Sequence, residues 1–311
     1  MPAEGDPGQK AGMPPATELL PLQETVTAVV VAYDSADVLS ACLDALRREG
    51  VPAIVVDNAS SDNSAAIARA HGATVIASSR NEGYGRGNNL GIAACRTPYA
   101  LIVNPDLVLQ PGAMAGLLAA AARYPDAGML APRIVEPSGR VFIQPRSLLS
   151  PAHLNHPGAA IVPEGDACLP FLSGACLLLR CDAFEALGGF DPQIFLFYED
   201  DDLCRRMRDS GHALVHVHEA QAHHARGRSS KPSPGRRFNA RWHLAWSHAY
   251  IAAKYGQSGP SSFAVCENVA KTAGYALIMN RLKMMAHAGS AAGALAWRRG
   301  RTALSRQGLD E

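Results

Sequence analysis

Residues 26–58 read VTAVVVAYDSADVLSACLDALRREGVPAIVVDN, and the change of period inside this stretch decides the fold. Val26 to Ala32 is a short β-branched run and predicts a strand, whereas Leu39, Cys42, Leu43 and Leu46 fall at helical spacing before Gly50. Ala53 to Val56 is apolar and β-branched again, which gives strand, helix, strand within one stretch. The pattern then repeats downstream. Ser64–Ala70, Asn88–Cys95 and Ala113–Arg123 predict helices, and Thr74–Ala77, Tyr99–Val103 and Met129–Val135 predict strands. Such alternation argues for an α/β fold whose mostly parallel central sheet is covered by helices on both faces.

Beyond residue 135 the signal changes. Residues 136–170 are rich in Pro, Gly and His with little periodicity and predict a mobile loop region. Phe171 to Arg180 reads as one continuous apolar strand, and Glu199-Asp200-Asp201-Asp202 opens a helix that ends near Gly211. Ala213 to His218 alternates as a strand does, and the chain after Arg236 reads as helical. The expected organisation is a leader over 1–24, a catalytic domain over 25–230 and a helical extension over 231–311.

Composition narrows the class. A chain of 311 residues with 48% hydrophobic and 18% charged residues can bury a full core and is too polar to be mainly membrane-spanning. The seven cysteines are scattered without a C-x-x-C pair, which indicates neither a disulfide framework nor a thiolate zinc site and suits a reducing compartment. The Pro- and Gly-rich leader lacks the basic start and apolar run of a signal peptide and is expected to be disordered. The net charge of +1 hides a segregation: from Arg226 onward 14 Lys or Arg face 3 acids, so a basic tail follows an acidic body. A basic tail of this kind suits peripheral contact with an anionic membrane, and no nucleic-acid partner is expected.

In open α/β sheets, ligands sit beyond the carboxyl ends of the strands. Polar residues follow four of the predicted strands: Tyr33-Asp34, Asp57-Asn58, Arg80-Asn81 and Asn104-Pro105-Asp106. Tyr33, Asn58 and Asn104 are thereby candidate donor contacts. Asp106 can bind Mg2+ or Mn2+ through a hard carboxylate oxygen, or it can close a turn, the reading that Asn-Pro-Asp favours when taken in isolation. Asp57 can accept a hydrogen bond from a base N–H or cap the loop that follows. The run Glu199–Asp202 exceeds what helix capping needs, and crowding of like charges raises at least one pKa, as a general base requires. Asp200 is the first candidate base and Glu199 the second. Of the five histidines between His212 and His224, His224 is the candidate metal ligand, with His223 one register step away. The glycine-rich segment Gly83–Gly91 lacks the G-x-G-x-x-G spacing of a dinucleotide loop and suits close approach of backbone to a diphosphate.

Taken in order, Val29-Val-Val-Ala-Tyr33, Val55-Val-Asp-Asn-Ala-Ser-Ser-Asp62, Asn81–Gly91, Asn104-Pro-Asp106, Gly188-Gly-Phe-Asp191 and Phe197-Tyr-Glu-Asp200 leading into Asp202-Leu-Cys-Arg-Arg206 resemble the family 2 inverting glycosyltransferases of GT-A fold. Among these they look most like the bacterial rhamnosyltransferase type. The resemblance implies that Asp57 contacts the base, Asn88 lies by the donor, Asp106 binds the metal and Asp200 activates the acceptor. It further implies a nucleotide-sugar donor, dTDP-rhamnose first and another UDP- or dTDP-sugar next, and a lipid-linked saccharide or polysaccharide acceptor of the cell envelope. Two departures stand out. The metal motif begins with Asn104 instead of Asp, and Phe238 replaces the Gln of the Q-x-x-R-W motif of processive synthases, which favours addition of a single sugar. A non-catalytic nucleotide-sugar or glycan-binding module is the competing class. A nucleotidyltransferase would need a glycine- and lysine-rich loop near the first strand, and none is present.

Overall fold

The computed structural model describes residues 21–143, 147–151, 161–225 and 233–309. In chain order the elements are α1 (Leu22–Thr25), β1 (Val26–Ala32), α2 (Ala36–Arg48), β2 (Ala53–Asp57), α3 (Ser64–Ala70), β3 (Thr74–Ala77), α4 (Tyr84–Ala93), β4 (Tyr99–Val103), β5 (Leu107–Leu109) and α5 (Ala113–Arg123). There follow β6 (Ala127–Val135), β7 (Ala167–Cys168), β8 (Cys176–Arg180), α6 (Cys181–Ala186), α7 (Glu199–Asp209), β9 (Ala213–His224), α8 (Pro234–Lys254), α9 (Ser262–Leu277) and α10 (Arg281–Arg298).

One sheet carries the order β3-β2-β1-β4-β8-β6-β9-β5, with β7 also paired to β9. β1 is parallel to β2 and β4, β2 to β3, and β6 to β9, whereas β8 runs antiparallel to β4 and β6. β5 and β7 oppose β9. β1 to β4, β6 and β9 therefore share one direction, as the alternating sequence pattern predicts. The pleat of β1 divides the core. Ala28, Val30 and Ala32 pack with Leu39, Leu43 and Leu46 of α2 on one face, while Val29 packs with Ile92, Phe190 and Leu203 on the other.

Where structure and expectation differ, a tertiary contact is the cause. α4 begins at Tyr84, earlier than the predicted Asn88, because its glycines serve packing: a Cβ on Gly91 would collide with the Val29 side chain of β1. The predicted strand 171–180 enters the ladder only at Cys176, because Gly174 gives its N–H and C=O to side chains. β9 runs past His218 to His224, since β6 and β5 pair with its second half. The two- and three-residue strands β7 and β5 carry no periodic signal of their own and exist through pairing with β9. Of the leader, residues 1–20 lie outside the described residues, and Leu22–Thr25 form a helical turn. Of the predicted loop, 144–146 and 152–160 lie outside them, as does Arg226-Gly-Arg-Ser-Ser.

The C-terminal helices are joined to the sheet domain by a cluster of Phe195, Trp242, Trp246, Ala296 and Leu304. The end of α8 is tied down by ion pairs of Lys254 with Asp191 and Asp202, both at 2.6 Å. Ser247 Oγ adds a hydrogen bond to the Leu196 carbonyl. Among the described residues, no helix is long and apolar enough to cross a membrane.

Candidate active site

The carboxyl ends of β1, β2 and β4 open on a cavity of about 450 Å³, within the range of small-molecule sites. Tyr33, Asn58, Asn104 and Asp106 line it from the sheet, and Arg236, Asn239, His243 and Gln307 line it from the C-terminal region. Four of the predicted site residues thus share one cavity. Asp57, Asn88, Glu199, Asp200 and His224 are not among the residues that line it.

The turn after β4 explains Asp106. The Leu107 N–H donates to the Asn104 carbonyl at 3.1 Å, which reverses the chain into β5, and β5 pairs with the end of β9 so that Leu107 faces His224. The buried Asp106 carboxylate then meets His224 Nε2 at 3.1 Å across 118 residues of sequence. His223 points to the other side of the strand, against Gln221 at 3.2 Å, so alternation along β9 separates the two histidines. A carboxylate and an imidazole side by side at the cavity edge fit a divalent cation. Among the described residues no group of three or more His, Cys, Asp or Glu could hold one, so diphosphate oxygens and water would complete the shell, as hard cations of this kind accept.

At the end of β2, Asp57 is buried and accepts from the Ser60 N–H at 3.3 Å, the turn geometry weighed for it on sequence. Asn58 spends its amide locally: Nδ2 donates to Asn81 Oδ1 at 3.0 Å and to the Gly83 carbonyl at 3.1 Å, and its Oδ1 accepts from the Glu82 N–H at 2.8 Å. It fixes the loop that starts α4, and that loop carries Tyr84 into the cavity wall. Asn88, one turn further and fully buried, donates to the Tyr84 carbonyl at 3.0 Å, while its Oδ1 has no hydrogen-bond partner among the described residues.

Tyr84 connects the cavity to the acidic run. Its hydroxyl donates to the Gly174 carbonyl at 2.5 Å, and the Gly174 N–H donates to Asp200 Oδ2 at 3.1 Å. Asp200 therefore sits one residue behind the wall, half-buried, with its Oδ1 receiving the Asp201 N–H at 3.0 Å. Burial raises its pKa, against the lowering effect of those N–H donors. The other three acids are occupied differently. Glu199 is buried, its pKa pushed well up by burial and then by the Asp200 charge. Asp201 accepts from Ser147 Oγ and is pushed up to about 7, by burial first and the Asp200 charge second. Asp202 is fully buried between Arg206 and Lys254. Burial pushes the thiols of Cys42 and Cys95 up to about 12, which disfavours the thiolate near neutral pH.

Sequence reasoning missed the wall supplied by α8. Arg236, Asn239, Ala240 and His243 recur at i, i+3, i+4 and i+7, a single helical face whose polar members signal something other than core. Arg236 Nη2 reaches Asp34 of the β1 turn at 2.8 Å, and Asp34 also receives the Ser61 N–H at 2.8 Å. His243 is buried, stacked on Phe195 at 4.5 Å, with its pKa lowered to about 3 by burial and then by Arg306. A neutral imidazole results.

A sequence model described as glycosyl transferase family 2 matches residues 27–188. The N-acetylglucosaminyl-diphospho-decaprenol L-rhamnosyltransferase of Mycobacterium tuberculosis is 29% identical over 264 residues, spanning 75% of this chain and 82% of that protein. Among solved structures, the mannosyltransferase PcManGT of Pyrobaculum calidifontis with GDP-Man and Mn2+ superposes at a TM-score of 0.54 and 18% identity over 92% of this chain and 78% of that one. GalNAc-T7 with UDP, GalNAc and Mn2+ gives a TM-score of 0.53 at 14% identity over 75% of this chain, which spans about half (50%) of that protein's length. At these identities the superpositions speak for the fold alone.

Proposed function

We infer, from the premise that the chain belongs to glycosyl transferase family 2 and is a glycosyltransferase of GT-A fold, that it transfers a single L-rhamnose from dTDP-rhamnose to a lipid-linked saccharide of the cell envelope, with inversion. The similarity to the decaprenol-linked rhamnosyltransferase supports the donor and acceptor classes. The observation that supports the chemistry is the chain of contacts Tyr84–Gly174–Asp200, which links a carboxylate of raised pKa to Tyr84 in the wall of the cavity that Asp106 lines.

In this reading, Asp200 accepts the proton of the acceptor hydroxyl, whose oxygen attacks the anomeric carbon as the bond to the diphosphate breaks on the opposite side. A raised pKa strengthens such a base near neutral pH. Asp106 and His224 would hold Mg2+ or Mn2+, which when bound supplies neutralising charge for the leaving diphosphate. Tyr33 and Asn104 line the donor's place, Asn58 holds its loop, and Asp57 and Asn88 support that wall from behind. The enzyme works peripherally at the inner face of the cytoplasmic membrane, where a lipid-linked acceptor is found.

Thermal shift against a panel of nucleotide sugars, with and without Mn2+, tests the donor, because a ligand of the native state raises the melting temperature. dTDP-rhamnose should give the largest rise with Mn2+ present, and His224→Ala should abolish the metal's share. Asp200→Asn should keep the rise yet lose transfer by about 10²–10⁴-fold. Full transfer by that variant would remove the base assignment, and a rise with no nucleotide sugar would remove the donor class.

A further inference from the structure

α9 is exposed in a way that its composition does not favour in water. Phe263, Cys266, Ala270, Ala273 and Leu277 follow one another at spacings of three and four, so they share one helical face, and all five are exposed. Only Val265 of this 16-residue helix is buried. The apolar stripe runs into the turn before α10, where Leu277, Ile278 and Met279 are 85%, 67% and 86% exposed. The left-handed backbone at Met279, φ 53°, is one that side chains other than Gly adopt rarely, so the turn itself gives no reason for an apolar residue there.

Directly behind this tip lies a basic groove of about 270 Å³, lined by Arg237 and Arg241 of α8, Lys283 and Leu282 of α10, and Tyr275 of α9. Between residues 233 and 309 the one acid is Glu267, and it is paired with Lys271 at 2.7 Å. An apolar stripe and tip with a cationic groove just above them match the two layers of an anionic bilayer surface, acyl boundary and phosphate headgroup. A second copy of the chain fits less well, because a two-fold pairing of this face would set the same cations against each other.

We propose that the α9–α10 hairpin is a membrane-docking element, with the α9 stripe and residues 277–279 in the interface and Arg237, Arg241 and Lys283 on anionic lipid headgroups. Arg237 and Arg241 alternate along α8 with Arg236 and Asn239, which line the active cavity. The two sites therefore lie on adjacent faces of one helix, about 10 Å across. This deepens the peripheral, lipid-linked reading given above and rests on it for its purpose, though not for its test.

The test is sedimentation of the full chain with phosphatidylglycerol-containing vesicles and with phosphatidylcholine vesicles, without nucleotide. Wild type should pellet with the anionic vesicles in a salt-sensitive manner, and Leu277→Ser/Ile278→Ser/Met279→Ser should weaken partition at least about tenfold. Arg237→Ala/Arg241→Ala/Lys283→Ala should lose both binding and salt sensitivity. The serine variant should keep the wild-type melting temperature and its response to nucleotide sugar, since the altered side chains are exposed. A wild type left in the supernatant, or a serine variant that pellets like wild type, overturns the proposal. So does a solution dimer that the serine changes dissociate without effect on vesicle binding, which would assign the face to a second copy. Vesicle binding with no response to any nucleotide sugar would instead sink the donor assignment and leave the docking element standing.

Discussion

Asp201 and His243 set opposing pH dependences on one small protein. Asp201, raised from 3.8 to about 7 by burial and the neighbouring Asp200 charge, binds its proton more tightly when folded. It therefore stabilises at low pH, and that contribution is lost as pH rises from 3.8 through 7. His243, lowered from 6.5 to about 3, resists protonation when folded, so its contribution is lost as pH falls from 6.5 toward 3. Asp201→Asn keeps an oxygen to accept from Ser147 Oγ and removes the first effect alone. Its melting temperature, relative to wild type, should be higher at pH 8 than at pH 4.5 by several degrees, at roughly 2–4 °C per kcal/mol for a domain of this size or somewhat smaller. Equal differences at both pH values would show that the Asp201 carboxyl titrates normally. For the same reason Asp200 cannot be judged from its own contacts only, because its charge appears among the causes that raise both Glu199 and Asp201.

At the scale of elements, α4 is the piece whose seating matters most to the cavity. It is short, glycine-rich and weakly amphipathic, so its position comes from contact with β1 and from the loop that Asn58 fixes. Gly91→Val would drive a branched side chain into Val29 and should cost about 1–3 kcal/mol by overpacking, read as a lowered midpoint in urea denaturation. Tyr84 would move with the helix, so transfer should fall at temperatures where the fold persists. An unchanged midpoint would mean that α4 and β1 can separate freely, contrary to their packing here. The loop start at Gly83 is equally constrained: its φ is 84°, and a Cβ there would meet the Phe195 carbonyl. Tyr84 N–H donates to that same carbonyl at 3.1 Å, so the first turn of α4 is also joined to the segment that receives α8.

For the whole molecule, the cavity is completed only when the C-terminal helices close over the strand ends. Arg236 spans 202 residues to reach Asp34, and Gln307 meets His243 at 3.0 Å from a still later segment. The Arg236–Asp34 pair is partly exposed, which limits its worth to fold stability to about 0–1 kcal/mol. Its guanidinium nevertheless lines the cavity. Arg236→Ala should leave the melting temperature nearly unchanged and weaken dTDP or UDP binding about tenfold by calorimetry, the loss of one charge-assisted contact to phosphate. Undiminished nucleotide affinity would mean that the arginine serves the closure alone. α10 carries Gly293 against the Trp242 backbone, so it belongs to the same closed body. Cutting the chain after Gly256 would remove that support, which makes point changes in the hairpin the cleaner probe of membrane docking.

Apart from α1 and β5, the order of strands and helices as far as β6 was legible in the sequence, as were the direction of most of the sheet and the polar strand ends, because each is written in local periods of two and 3.6 residues. The family resemblance rested on those same local segments, and the match over residues 27–188 bears it out. What local pattern could not carry was adjacency. Asp106 beside His224, Asp200 behind Tyr84 through Gly174, and the α8 face over the cavity join residues 118, 116 and 202 positions apart, read from the pairs 106–224, 84–200 and 34–236. Short strands such as β5 have no period to read and form only because a distant partner supplies their hydrogen bonds. Sequence determined the parts and their facing; tertiary structure decided which parts meet, since the contacts that bring them together lie outside any window in which a period can be counted.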